Sequence, residues 1–210
     1  EIYNLSKIYK FKIIEDASHA IGSKYRKHKV GSCKYSDITV FSFHPVKIIT
    51  TGEGGVATTN DHNLAVKLKM LRSHGITRDS DFMTKEKDGQ WYYEQIDLGY
   101  NYRITDIQCA LGISQLQNLD EKIKRRRILA QNYNNAFQKK EGFTLPRILK
   151  SNYHSYHIYP LQFNFKKKGI SKKLFFLQMK KAKINLQVHY IPIYHHPYYK
   201  KFNFNKKKMN

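Results

Sequence analysis

Cysteine is nearly absent. Only Cys33 and Cys109 occur in 210 residues, with neither a CxxC pair nor the Cys/His spacing of a zinc site. That excludes a disulfide scaffold and points to reduced thiols in a cytoplasmic protein. No apolar run nears the ~18 residues of a membrane span, and no signal-peptide pattern opens the chain. Acidic residues are also scarce, 16 against 38 Lys and Arg, for a formal net charge of +22. Such a balance suits an anionic partner. The lysines, however, are scattered among Asn, Ile and Tyr, with dense runs only at KIKRRR (122–127) and KKK (166–168 and 206–208). Charge of this kind supplies affinity but no site. The expectation is therefore no nucleic acid, no membrane and no metal, with an acidic substrate such as a nucleotide diphosphate served equally well. His195-His196 is the one metal-like pair, and nothing upstream completes it.

What is present is an α/β pattern. Ile2, Leu5, Ile8 and Tyr9 stand at helical spacing before KFKIIED, a short apolar run ending in acid, as in a buried parallel strand. A turn-rich patch leads to the strand DITVFSF, then GEGG and the strand VATT. Asp61 suits the N-cap of a helix carrying Leu64, Leu68 and Leu71. From Thr105 to about Gln138 the pattern reads as one long helix whose KIKRRR lies on a solvated face. EGFTLP marks a junction, and beyond it come a strand (SYHIYPLQF), a helix opened by Ser171, and a strand (INLQVHYIPI). The expected organisation is a larger domain over 1–141 and a small α/β domain over 142–210.

Polar residues fall at strand ends. Asp16 closes KIIED, while Ser42, His44 and Lys47 follow DITVF, and ligands of open α/β sheets lie beyond the carboxyl ends of strands. An acid, a hydroxyl and an amine on one rim are what pyridoxal phosphate requires. The lysine binds the aldehyde, a buried carboxylate keeps the pyridine nitrogen protonated, and hydroxyls and amides hold the phosphate.

Five stretches in order, EDASHAIG (15–22), TVFSFHPVKIITTGEGG (39–55), LRSHGI (71–76), GYNYRITDIQCALGISQL (99–116) and QVHYIPIY (187–194), resemble the DegT/DnrJ/EryC1/StrS sugar aminotransferases. These are fold-type I pyridoxal phosphate enzymes, and SFHPVK, TTGEGG and VHYIPIY are most similar to the family's pseudaminic acid branch. The resemblance implies a large domain with a mixed, mostly parallel sheet and a small C-terminal domain. It implies transfer of an amino group from L-glutamate to C4 of a UDP-linked 4-keto-6-deoxy-N-acetylhexose. It makes Lys47 the lysine that carries the cofactor, Asp16 the pyridinium partner, His19 a contact of the ring or its hydroxyl, and Ser42 a phosphate ligand. Asn101 would reach the cofactor of a neighbouring subunit with Arg103 beside it, giving a homodimer with shared active sites. His189 and Tyr190 would line the sugar-nucleotide site.

Taken singly, His19 also reads as a core histidine, Asn101 as a turn residue, and Arg103 with Asp106 as a helix-start pair. Of His189 and Tyr190, alternating on a strand, at most one would face a pocket. Relatives carry a phosphate-cupping loop and a stacking aromatic before the segment that matches KIIED, and a closing helix and strand after KFNFNKKKMN. The chain, which opens on Glu1, is thus expected to be a fragment. Two alternatives stand beside the aminotransferase: a non-catalytic fragment that folds, and a sugar dehydratase on the same scaffold and cofactor, whose lysine position resembles a histidine and against which Lys47 argues.

Overall fold

A computed structural model describes residues 1–202. The chain falls into two compact units, one formed by Glu1–Tyr133 with Arg147–Tyr159, the other by Asn134–Pro146 with Pro160–Asn210. The expected junction at 141–142 lies within the first segment of the second unit.

The first unit begins with α1 (Ile2–Tyr9) and β1 (Ile14–Asp16). A short ribbon of β2 (Lys24–Tyr25) and β3 (His28–Lys29) precedes β4 (Ile38–Ser42) and β5 (Gly55–Thr58). The main sheet has the order β1-β4-β5. It is mixed: β1 runs parallel to β4 with Asp16 opposite Val40, and β5 runs antiparallel with Gly55 opposite Ser42. Thr39, the second residue of β4, is fully buried; its hydroxyl donates to Glu15 on β1 at 3.1 Å.

Next come α2 (His62–Arg72), the small antiparallel pair β6 (Ile76–Thr77) and β7 (Glu94–Gln95), then α3 (Asp106–Gln117) and α4 (Leu119–Phe137). Asp61 caps α2, its carboxylate accepting from the Leu64 N–H at 3.2 Å. Glu94, the first residue of β7, accepts hydrogen bonds from Thr84 N, Thr84 Oγ1, Lys85 N and Tyr92 Oη, which holds its carboxyl below the ordinary range.

Two helices thus occupy the place of the single one expected from 105 to 138. Asn118, at φ −102° and ψ 12°, leaves helical geometry between them. The apolar spacing continues across that break, so periodicity alone does not register it. Of the apolar residues at three- and four-residue steps, Leu116, Leu119, Ile123, Ala130, Tyr133 and Phe137, only Ile123 and Ala130 are buried. The apolar residues of α1 also point outward, with Ile2 65% and Ile8 69% exposed, while Ser6 is buried.

The second unit holds β8 (Phe143–Thr144), antiparallel to β10 (Gln162–Phe163), and α5 (Lys172–Lys181), capped by Ser171. Between them in sequence, β9 (Asn152–Tyr153) returns to the first unit and pairs with β2. The core of the second unit is aromatic: Phe163 lies 4.9 Å from Phe143, 4.8 Å from Phe165 and 4.6 Å from Phe175, ring centre to ring centre. A last short helix, α6 (Pro197–Lys200), follows a 3-10 turn at Ile193–His195.

Of SYHIYPLQF only Gln162–Phe163 lies in a strand, and INLQVHYIPI forms no strand among the described residues. Alternation is a strand signal only where a partner edge satisfies the backbone. The expectations about KFNFNKKKMN fall mostly on 203–210, outside the described residues.

Candidate active site

The parallel register puts Asp16 beside Val40, and Ser42 lies two residues further along β4 on the same face. Both therefore stand at the carboxyl rim of the sheet. Asp16 is exposed rather than buried, because β1 is an edge strand of the described sheet. Its charge is instead fixed by hydrogen bonds from the Ser18 hydroxyl at 2.6 Å and the Ser18 N–H at 3.0 Å. Those bonds hold its carboxyl below the ordinary range, and the positive charges of His19 and Lys47 lower it further.

Lys47 sits on a tightly closed loop after β4. Its N–H donates to the His44 carbonyl at 2.9 Å. The following Ile48 and Ile49 are buried and anchor the turn. Thr50 Oγ1 and Thr51 N both donate to the Phe43 carbonyl, at 2.8 and 3.0 Å. From the other side, α3 clamps the loop: Gln115 Oε1 accepts from Thr50 N at 3.3 Å, and Gln108 Nε2 donates to the Glu53 carbonyl at 3.0 Å. Gly55 lets β5 lie close, since a Cβ there would come within 2.6 Å of the Phe41 carbonyl oxygen. Half-buried Lys47 makes no hydrogen bond or ion pair through its amino group among the described residues. A tethered backbone thus presents an amine whose valences are uncommitted.

His19 is exposed at its edge, but its ring lies 4.3 Å from that of His157, at 46°. Asn101 is exposed and bridges Ser73 in an antiparallel step after α2. Arg103 is exposed, and no ion pair joins it to Asp106 among the described residues. The adjacent Ile104 places Cδ1 3.1 Å from where a Cβ of Gly54 would stand, so the 101–104 segment borders the lysine loop. His189 and Tyr190 belong to the second unit, with rings 3.8 Å apart and Tyr190 73% exposed.

The structure thus brings Asp16, His19, Ser42 and Lys47 to one rim, with 101–104 alongside. Gln108, Gln115 and His157 were not apparent in the sequence. For Gln108 a signal existed: Thr105-x-x-Gln108 is a capping-box spacing, and both of its reciprocal bonds are made. His157, inside an apparently alternating strand, gave none.

An amine, a fixed carboxylate and a hydroxyl on the carboxyl rim of a mixed α/β sheet are the groups that pyridoxal phosphate requires. The chain belongs to the DegT/DnrJ/EryC1/StrS aminotransferase family, whose model matches residues 1–210. It is 43% identical over 201 residues to the UDP-4-amino-4,6-dideoxy-N-acetyl-beta-L-altrosamine transaminase of Campylobacter jejuni, covering 96% of this chain and 50% of that protein. Its fold matches Helicobacter pylori PseC, an aminotransferase involved in the biosynthesis of pseudoaminic acid. The TM-score is 0.85 at 36% identity, over 97% of this chain and 52% of that one. A sugar aminotransferase from Streptococcus pneumoniae, described as putative and solved in its PLP form, matches at TM-score 0.80 and 27% identity, over 97% and 50% of the two chains. The chain spans about half the length of the curated relatives it matches.

Proposed function

We propose that these residues form the lysine-bearing part of a pyridoxal phosphate-dependent aminotransferase of nucleotide sugars. In this reading L-glutamate is the donor and C4 of a UDP-linked 4-keto-6-deoxy-N-acetylhexose the acceptor. The observation behind it is the uncommitted Lys47 amine within electrostatic reach of the Ser18-fixed Asp16 carboxylate. The names of the C. jejuni and H. pylori relatives support the substrate class.

The donor set fits the cofactor. Asp16 presents a full negative charge to a protonated pyridine nitrogen, Ser42 a hydroxyl to phosphate, and His19 a ring edge to the ring hydroxyl. The cofactor supplies an electron sink for carbanion formation next to nitrogen. Lys47 Nζ would hold the cofactor and, when free of it, is the amine placed to carry a proton at this rim. The clamp of Gln108 and Gln115 keeps that amine on one trajectory. Arg103, His189 and Tyr190 are assigned to the sugar nucleotide, whose diphosphate the positive chain attracts.

A cytoplasmic homodimer with Asn101 reaching the partner's cofactor completes the reading. Exposed apolar side chains near Asn101, Leu98 at 82%, Tyr102 at 72% and Ile107 at 85%, support burial against another surface.

Incubation with pyridoxal phosphate, borohydride reduction and peptide mapping should place a pyridoxyl group on Lys47. A label on other lysines only, or none, refutes the assignment. Incubation with a 4-keto sugar nucleotide and glutamate should yield 2-oxoglutarate, which a dehydratase would not produce.

A further inference from the structure

Residues 151–157 form a strap that crosses back onto the first unit and ends at the site. β9 pairs with β2, with Tyr153 opposite Lys24. The wholly buried Ser155 is bonded twice to Ser23, hydroxyl to hydroxyl at 2.8 Å and Ser155 N to Ser23 Oγ at 3.1 Å. From α4, Arg127 Nη1 donates to the His154 carbonyl at 3.0 Å. Arg126 Nη1 donates to the carbonyls of Tyr156 and His157 at 3.1 and 3.2 Å. Arg127 also stacks over the Tyr153 ring at 4.0 Å. Two arginines of KIKRRR are therefore half-buried fasteners rather than a solvated face. Lys124 and Arg125, immediately before them, remain exposed.

The β9 pairing, the Ser155 N–H bond and the arginine bonds act on the strap's backbone, and together they fix where the His157 side chain emerges. It emerges against His19, the ring that follows Asp16 and Ser18 on the same turn. His19 itself stands after β1 on an exposed edge. A packed aromatic neighbour limits the rotation of its ring.

We propose that His157 is a positioning residue: its ring, delivered by the Arg126-fastened strap, sets the plane and reach of the His19 imidazole towards the cofactor ring. The cofactor part rests on the function proposed above, while the ring contact does not. The role belongs to the shape of the ring, so phenylalanine should serve where alanine fails.

The test compares His157→Ala and His157→Phe with the unaltered chain, using histidine-labelled protein and two readouts. Without cofactor, the His19 ring resonances, assigned with His19→Gln, carry the ring-current shift of a neighbour at 4.3 Å. They should move in His157→Ala and stay displaced by a ring in His157→Phe, with backbone circular dichroism unchanged. Unmoved His19 resonances in His157→Ala overturn the proposal. With pyridoxal phosphate as probe, dissociation constants should rise about fivefold in His157→Ala and recover to within about twofold in His157→Phe. An equal loss in both variants overturns the shape-based role. If the unaltered chain takes up no pyridoxal phosphate on Lys47, the proposed function fails, and the resonances alone still decide whether His157 orients His19.

Discussion

Replacing Gly22 by alanine tests how the EDASHAIG segment is seated on α4. Gly22 has φ +75°, and a Cβ added there would run into Cδ1 of Ile123, a side chain only 1% exposed. Two costs follow. Left-handed backbone costs a non-glycine residue about 1–2 kcal/mol. Overpacking a filled site costs about 1–3 kcal/mol more. Gly22→Ala should therefore destabilise by about 2–5 kcal/mol. Ile123→Val removes the obstructing methyl and alone costs about 0.5–1.5 kcal/mol. In the double variant the clash disappears and the backbone strain remains, so the two changes should fall short of additivity by about 1–3 kcal/mol. Urea unfolding followed by far-ultraviolet circular dichroism reads this directly, since a change of about 2 kcal/mol moves the midpoint by roughly 1 M at ordinary slopes. Strict additivity would show that Gly22 and Ile123 do not meet and would refute the packing of this motif on α4.

Two further outcomes follow from the same region. Ser23→Ala strips partners from both the hydroxyl and the N–H of buried Ser155 and should cost about 1–3 kcal/mol, more than Ser155→Ala at about 1 kcal/mol. Equal midpoints for the two in denaturant would count against the bond pair. Asp16 has a depressed folded pKa, so its contribution to stability is complete above the unfolded value near ~4 and is lost as pH falls through the lower folded value. Ser18→Ala should raise the Asp16 midpoint towards the ordinary value in a carboxyl carbon NMR titration; an unchanged midpoint would refute the Ser18 hydroxyl bond as its main cause.

Local chemistry was legible in the sequence wherever the signal was itself local. Asp61, Thr105 and Ser171 cap helices as their side chains predict, and the lysine follows the strand that ends at Ser42. What escaped depends on partners distant in the chain. Whether Asp16 is covered depends on what lies beyond β1, and nothing in IIED records it. Arg126 and Arg127 look solvated because their acceptors are carbonyls about thirty residues away. INLQVHYIPI alternates like a strand, yet alternation names a face and not a neighbour.

The first unit is discontinuous: the chain leaves it after Tyr133 and re-enters at Arg147. It is therefore not a segment that can be cut out. A chain ended near 141 would keep every residue of the lysine rim and lose the strap, stripping Ser23 of its buried partner and His19 of its ring neighbour. A backbone break near Lys139 and Lys140, both exposed, would instead leave two polypeptides still joined through β2 with β9, the serine pair and the two arginines. Covalent continuity and structural continuity part company here, and the integrity of the rim follows the second.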